Sequence, residues 1–229
     1  MKKILVIFLA TVLALTFTAC GDSTSDSDIK GSLKVEEQDK ENQNDDKNEE
    51  KDLSLGHAEG NIYENEFIGI GFNLPNGWTF YTDEQIKALN NITTDMMDEE
   101  YAQAIENATI LYDMYALDTL GNSVNINIEK LNVASALAYT EEEHVKATVG
   151  SVKDALSSMG LGEVTAKPTT VTIAGEKHHG IEVVCVGEQV TLYEKVICVK
   201  IGRYMANITI ATVGSDTTSE IIEQFYALD

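Results

Sequence analysis

Only three cysteines occur in the 229 residues, and no Cys-x-x-Cys pair is among them, so neither a disulfide framework nor a redox or zinc motif is implied. Cationic residues are scarce: 16 lysines and arginines face 38 aspartates and glutamates, for a net charge of −22. A chain this acidic is repelled by nucleic acid and by anionic lipid head groups, which argues against polyanion-binding roles. Catalytic signatures are missing too. There is no Gly-x-Ser-x-Gly and no His-Glu-x-x-His, and Gly69-Ile70-Gly71 does not continue into a dinucleotide fingerprint. These absences lead us to expect a non-enzyme with no cofactor. The N-terminal run from Ile4 to Ala19, which carries no charge, is short of the ~20 residues that a comfortable membrane span needs.

That run follows Met1-Lys2-Lys3, which gives the positive and then apolar order of a secretory signal. It closes in Phe17-Thr18-Ala19-Cys20, which resembles the bacterial lipobox, although Phe17 stands where an aliphatic residue is usual. The resemblance implies that residues 1–19 are removed and that the Cys20 thiol carries covalent lipid. The protein is then held on the extracytoplasmic face of the cell membrane by that anchor. Two or three acyl chains at ~0.8 kcal/mol per buried methylene hold a protein stably where one would not. An ordinary signal peptide, or an uncleaved anchor with Cys20 incidental, is the competing reading. The abrupt turn to polar text at Gly21-Asp22 favours lipidation.

Residues 20–59 read as a charged tether. Between 21 and 58 there are 12 acidic and 5 basic residues and no aromatic, too little apolar surface to offset ordering entropy. A flexible chain of this length reaches about 35 Å. Residues 60–229 are enough for one domain with its own core. From 59 onward, 26 acidic and 9 basic residues give a net of −17, which suits cationic ligands, basic partner proteins or divalent metals.

Within the domain, strand text at 61–63 and 67–74 ends in Pro75-Asn76-Gly77, a turn. Capping-box spacing at Thr82-x-x-Gln85 and Thr140-x-x-Glu143 predicts two helix starts, and a further helix fits 95–107. The helix after Thr140 has Val145, Val149, Val152, Leu156 and Met159 as its apolar stripe and stops at Gly160. A hairpin is expected from 109–117 and 123–131, because Val124, Ile126 and Ile128 alternate with Asn125, Asn127 and Glu129. Strands follow at 163–166, 170–173, 177–186, 190–200 and 203–212, then a helix from Thr217 with Ile221, Ile222 and Phe225 inward. Cys185 and Cys198 fall too far apart along this meander to bridge, so both are expected as thiols. Hairpins dominate, which gives an α+β fold: a largely antiparallel sheet sandwiched by helices.

Tyr63-x-Asn65-x-Phe67, Leu74-Pro75-x-Gly77-Trp78 and the meander from Gly175 through Gly202-Arg203-Tyr204 to the closing helix resemble the PsbP-like fold. The resemblance covers roughly residues 60–229. It implies an antiparallel sheet between helical layers, used mainly for binding or assembly, with no ligand named by the fold.

Four groups of residues are candidates for function. Tyr112, Tyr115, Asn125 and Asn127 on the hairpin, with Tyr193 and Tyr204, combine aromatic and amide groups suited to a peptide or glycan groove, or serve as core aromatics beside a solvated face. His178 and His179 are imidazoles suited to zinc or copper, but on a strand they point to opposite faces and do not readily share an ion. Asp95, Asp98, Glu99 and Glu100, like Glu141, Glu142 and Glu143, sit in first helical turns, where the helix dipole explains them without calcium. An enzymatic reading would require His144, His178 or His179 to meet Asp or Ser partners in a cleft. The leading expectation is a lipid-anchored binding or assembly module for an envelope or extracellular protein. Small-ligand or divalent-metal capture at the cell surface is the alternative.

Overall fold

The computed structural model describes residues 53–91, 105 and 107–228. The signal segment, Cys20 and most of the tether lie outside the described residues, as do Asp95, Asp98, Glu99, Glu100 and nearly all of the helix expected over 95–107. Among those described, no helix is long and apolar enough to cross a membrane.

A small sheet opens the fold with β1 (His57–Glu59), β2 (Ile62–Asn65) and β3 (Ile70–Asn73). Its fourth strand, β11 (Phe225–Ala227), comes from the far end of the chain and pairs Phe225 with Phe72. The central sheet contains β4 (Thr79–Phe80), β5 (Ile110–Leu117), β6 (Ser123–Lys130), β7 (Glu163–Ile173), β8 (Glu176–Val186), β9 (Thr191–Ile201) and β10 (Tyr204–Val213). It is antiparallel throughout, in the order β4-β5-β6-β10-β9-β8-β7. The helices are α1 (Asp83–Leu89), α2 (Val133–Ala138), α3 (Glu141–Ser158) and α4 (Thr218–Ile222).

The α+β class holds, and the layers are specific. On one face of the central sheet, Ile126, Ile128, Ile197, Ala206, Ile208 and Ile210 pack against Tyr63, Phe67, Phe72 and Phe225 of the small sheet and its turns, with Ile221 and Ile222 of α4. A second sheet and a short helix thus fill most of this layer, where helices alone were expected. On the other face α3 lays Val145, Val152 and Leu156 over Val164, Ile181, Val183, Leu192 and Met205. Both faces of β9 are therefore covered, which is why its sequence shows no clean alternation.

Local chemistry explains the elements. Thr82 and Thr140 each accept from the backbone of the residue three on, Gln85 and Glu143, whose side chains reach back to the cap: two complete capping boxes. Asp118 builds the β5–β6 turn by accepting from the backbone N–H of Leu120 and Asn122, while Asn122 accepts from the Val213 N–H. The β7–β8 turn is Ala174-Gly175 with φ of 51° and 85°, the two-residue hairpin geometry whose positive φ is strained at an alanine.

Several boundaries differ from the sequence reading. The strand expected over 67–74 begins at Ile70; Phe67 and Ile68 lie in the preceding turn but are buried, their apolarity reflecting core contact and not strand. Strands 163–166 and 170–173 are one strand that runs through Pro168, tolerated because β7 is the sheet edge. The closing helix ends at Ile222, and Phe225 enters β11. The packed region also reaches back to Leu53 and Leu55, which lie against the core between the sheets. Asp113 ties that start down: at the bulge in β5 it accepts from the Gly56 N–H, the Tyr63 hydroxyl and the Asn65 side-chain amide.

Candidate functional site

The covered face of the central sheet has an unusually polar middle. Strand alternation turns Asn125, Asn127 and Glu129 of β6 toward the α3 side, opposite Val124, Ile126 and Ile128. Register then sets Asn127 beside Asn207 and Asn125 beside Thr209 of β10. One strand further, Asn207 meets Cys198, Thr209 meets Val196 and Ala211 meets Glu194 of β9. From above, His144, Thr148 and Val152 of α3, spaced at four residues, face down onto these rows.

A cavity of about 30 Å³ lies between, lined by Glu194, Asn127, Asn207, Thr209 and Cys198 from the sheet and by His144 and Thr148 from the helix. That is room for about two water-sized groups. Asn207 organises the floor: its amide donates to Asn127 Oδ1 at 3.2 Å, and its Oδ1 accepts from the Cys198 thiol at 3.5 Å. Glu194 is 1 % exposed, and neither of its carboxylate oxygens has a hydrogen-bond partner among the described residues. Burial alone pushes its carboxyl up to about 7.

The cavity gathers a cysteine, a histidine and an asparagine, but its electrostatics oppose nucleophilic chemistry. Burial, reinforced by Glu141 and Glu129, pushes the Cys198 thiol up to about 12, so it stays protonated at neutral pH. Its hydrogen bond goes to Asn207 and not to His144. His144 Nε2 lies 3.9 Å from Glu129 Oε2, a separation that would suit an ion pair. Burial lowers His144 and raises Glu129, however, so both are driven toward their neutral forms.

The hairpin candidates do come together. Tyr112 pairs across the strands with Asn127, and Tyr115 with Asn125, which places all four beside the cavity. Tyr115 and Asn125 are buried, the Tyr115 ring lying 4.5 Å from that of Tyr81; Tyr112 and Asn127 are half-buried. Only Asn127 reaches the cavity itself. Tyr193 and Tyr204 occupy the opposite face of the sheet, Tyr204 at an edge-to-face distance of 5.4 Å from Phe67.

His178 and His179 belong to a different structure. β8 and β9 stop pairing beyond His179 and Cys198, and the carboxylate of Glu141, the first residue of α3, enters the gap. It accepts from His178 Nδ1 at 2.8 Å, the His179 N–H at 3.1 Å and the Lys200 N–H at 3.2 Å. Burial would push Glu141 up, but these hydrogen bonds outweigh it and hold the carboxyl below its ordinary value; the same contact raises His178. Glu142 pairs with Lys146 and Glu143 closes its capping box, so each of the three glutamates has a protein partner. Among the described residues, no group of three or more His, Cys, Asp or Glu is placed to hold a metal ion. Cys185 and Cys198 are both free and buried, as expected.

Comparison with known proteins adds a likeness of shape only. No family model matches the chain, and no curated protein does. A crystal structure from Bacteroides thetaiotaomicron VPI-5482 aligns at a TM-score of 0.38 and 12 % identity over 74 % of this chain, which spans about half (49 %) of that protein. LpqN, described as involved in cell envelope biogenesis of Mycobacterium tuberculosis, aligns at 0.38 and 10 % identity over 70 % of this chain and 83 % of its own. At these scores neither likeness bears on function.

Glu194 escaped the sequence reading, although a signal was present. Leu192, Glu194, Val196 and Cys198 share one strand face, and a lone acid among three apolar neighbours marks a position where a charge is being buried.

Proposed function

We propose that this protein is a lipid-anchored binding module on the extracytoplasmic face of the membrane, non-enzymatic, that engages an envelope or extracellular protein. The observation that carries the reading is α2. None of its residues is buried, and it presents Val133 (69 % exposed) and Leu137 (85 % exposed) one helical turn apart. The helix is held in that pose and is not a loose excursion. Asn132 caps its start by accepting from the Ser135 N–H, and the Lys200 ammonium donates to the carbonyls of Ala136 and Tyr139 at its end. A pre-set apolar pair on a strongly acidic domain suits a partner with an apolar pocket rimmed by basic residues.

The address rests on Lys2-Lys3, the uncharged run and the lipobox-like Phe17-Thr18-Ala19-Cys20. Fractionation tests it: the wild-type chain is expected in the membrane fraction, and Cys20→Ala in the soluble or secreted fraction. A Cys20→Ala chain that still sediments with membranes overturns the anchor. Val133→Asp with Leu137→Asp is expected to leave the unfolding midpoint unchanged while removing partner binding, because neither side chain contributes to the core.

Ligand capture is the second reading, favoured by the cavity under α3 and its unpartnered carboxylate. Its divalent-metal form draws less support at His178 and His179, since Glu141 already occupies His178 Nδ1 and alternation sends the two rings apart.

A further inference from the structure

We infer that the cavity beneath α3 is a binding site for a small monovalent cation, sodium, potassium or ammonium, with the Glu194 carboxylate as its anionic ligand. This goes beyond the partner-binding reading and is independent of it, since no residue of α2 lines the cavity.

The argument starts from an imbalance of acceptors. Glu194 lines the cavity, neither of its carboxylate oxygens meets a donor among the described residues, and Asn125 Oδ1, on the strand two away, is likewise buried and unpartnered. Asn207, which could have supplied a donor, spends its amide on Asn127. A buried carboxylate left in this state costs several kcal/mol unless it is neutralised or paired. The position does not demand an acid for packing: its cross-strand neighbours are Val183 and Ala211, and an aliphatic side chain would fill the row. What the cavity lacks is positive charge: neither lysine nor arginine lines it, and burial drives His144 toward its neutral form.

Size and charge then select the ligand. About 30 Å³ admits one ion of this class with a water, and no organic molecule of drug size. One carboxylate balances one positive charge. A divalent ion would require further anionic ligands, and no cluster of three His, Cys, Asp or Glu is placed to supply them among the described residues. Thr209 and Asn127, which line the cavity, carry neutral oxygens of the kind that suits a hard monovalent ion.

The cation replaces a proton, so the exchange is balanced: the neutral Glu194 carboxylic acid and one cation give the carboxylate–cation pair and one released proton. The other titratable groups near Glu194 are His144 from α3, Glu129 from β6, Tyr115 from β5, Cys185 from β8 and Cys198 from β9 itself. Burial displaces His144, Glu129, Tyr115 and both thiols toward their neutral forms, which leaves Glu194 as the group that exchanges charge around neutral pH.

The test uses the full chain in a non-ionic detergent, with urea unfolding at pH 8 and pH 6 in sodium, potassium, ammonium or tetramethylammonium chloride at matched ionic strength. At pH 8 the folding equilibrium constant is expected to rise about tenfold for each tenfold rise in a small cation above its dissociation constant. Tetramethylammonium, too large for the cavity, is expected to have no such effect, and the dependence is expected to shrink at pH 6, where the proton competes. Glu194→Gln is expected to abolish the dependence. Should that variant not fold, the sodium-23 resonance of the ion, broadened by the wild-type protein and narrowed again by excess potassium, decides the matter. Equal midpoints in all four salts at pH 8, a Glu194→Gln protein with the wild-type dependence, or unbroadened sodium resonances would each overturn the inference.

Discussion

Replacing Glu141 by alanine is expected to open the fold at a definable place. The Glu141 carboxylate is the acceptor for two backbone N–H groups, His179 at 3.1 Å and Lys200 at 3.2 Å, where β8 and β9 part, and for His178 Nδ1 at 2.8 Å. Each orphaned N–H costs roughly 1–3 kcal/mol when water cannot replace its partner. The site is partly open, with the Glu141 side chain 18 % exposed, so the lower part of that range applies. A total loss of about 2–4 kcal/mol follows, and Glu141→Gln, which keeps one good acceptor, should lose about half of it. Urea unfolding at pH 7 reads this directly. A loss under about 0.5 kcal/mol for Glu141→Ala would refute the view that this carboxylate closes the split between the strands.

The same contact fixes a pH dependence. His178 holds its proton more tightly when folded, so its contribution is complete below its ordinary value of 6.5 and is lost as pH rises through the raised folded value. Glu141 is shifted the other way: its contribution is complete above 4.5 and is lost as pH falls through the lowered folded value. The pair is therefore most stabilising between about pH 4.5 and 6.5, and His178→Ala should flatten the upper limb of the stability profile.

Glu194 contributes with the opposite sign. Its carboxyl is raised to about 7 from 4.5, so in the absence of a small cation stability should fall as pH rises across that interval, by roughly 3 kcal/mol; Glu194→Gln should remove the slope in urea titrations in tetramethylammonium chloride. Ala174→Gly relieves an alanine held at φ 51° in a tight hairpin and should raise stability by about 0.5–1 kcal/mol, measured by thermal unfolding. Asp113→Asn deprives at least one of the three donors from Gly56, Tyr63 and Asn65 of its acceptor. Faster proteolysis between Leu53 and Gly56 is the expected result, while an unchanged cleavage rate would count against Asp113 as the tie for that segment.

What the sequence made legible was local. Thr82 and Thr140 announced their helices because a capping box is contained within four residues, and the 123–130 strand announced itself because one of its faces is apolar and the other polar. The closing strand β11 was not legible, since Phe225 acquires its partner Phe72 from the opposite end of the chain and a three-residue strand carries no period of its own. The inward face of α3 was half legible. Val145, Val152 and Leu156 were read correctly, but His144 and Thr148 are buried as well, and Met159 is 42 % exposed, because α3 rests over a polar row of the sheet at one end.

The candidate site divides along the same line. Alternation was sufficient to bring Asn125 and Asn127 onto one face, but Tyr112 and Tyr115, three residues apart, join them only because the bulge at Asp113 shifts the register of β5. Alternation could not reveal that the hydrogen-bond gap between β8 and β9 would draw in Glu141 and so engage His178, because that gap is a property of the sheet and not of either strand. The cavity likewise depends on five elements meeting, and only the isolated acid in the Leu192, Glu194, Val196, Cys198 series hinted at it.

Photo-cross-linking in intact cells, from a photoreactive residue in place of Leu137, tests the binding-module account most directly. The account predicts a recurrent protein adduct that disappears when Val133→Asp is added and when Cys20→Ala releases the chain from the membrane. Absence of any adduct across growth conditions, or an adduct unchanged by both substitutions, would contradict it.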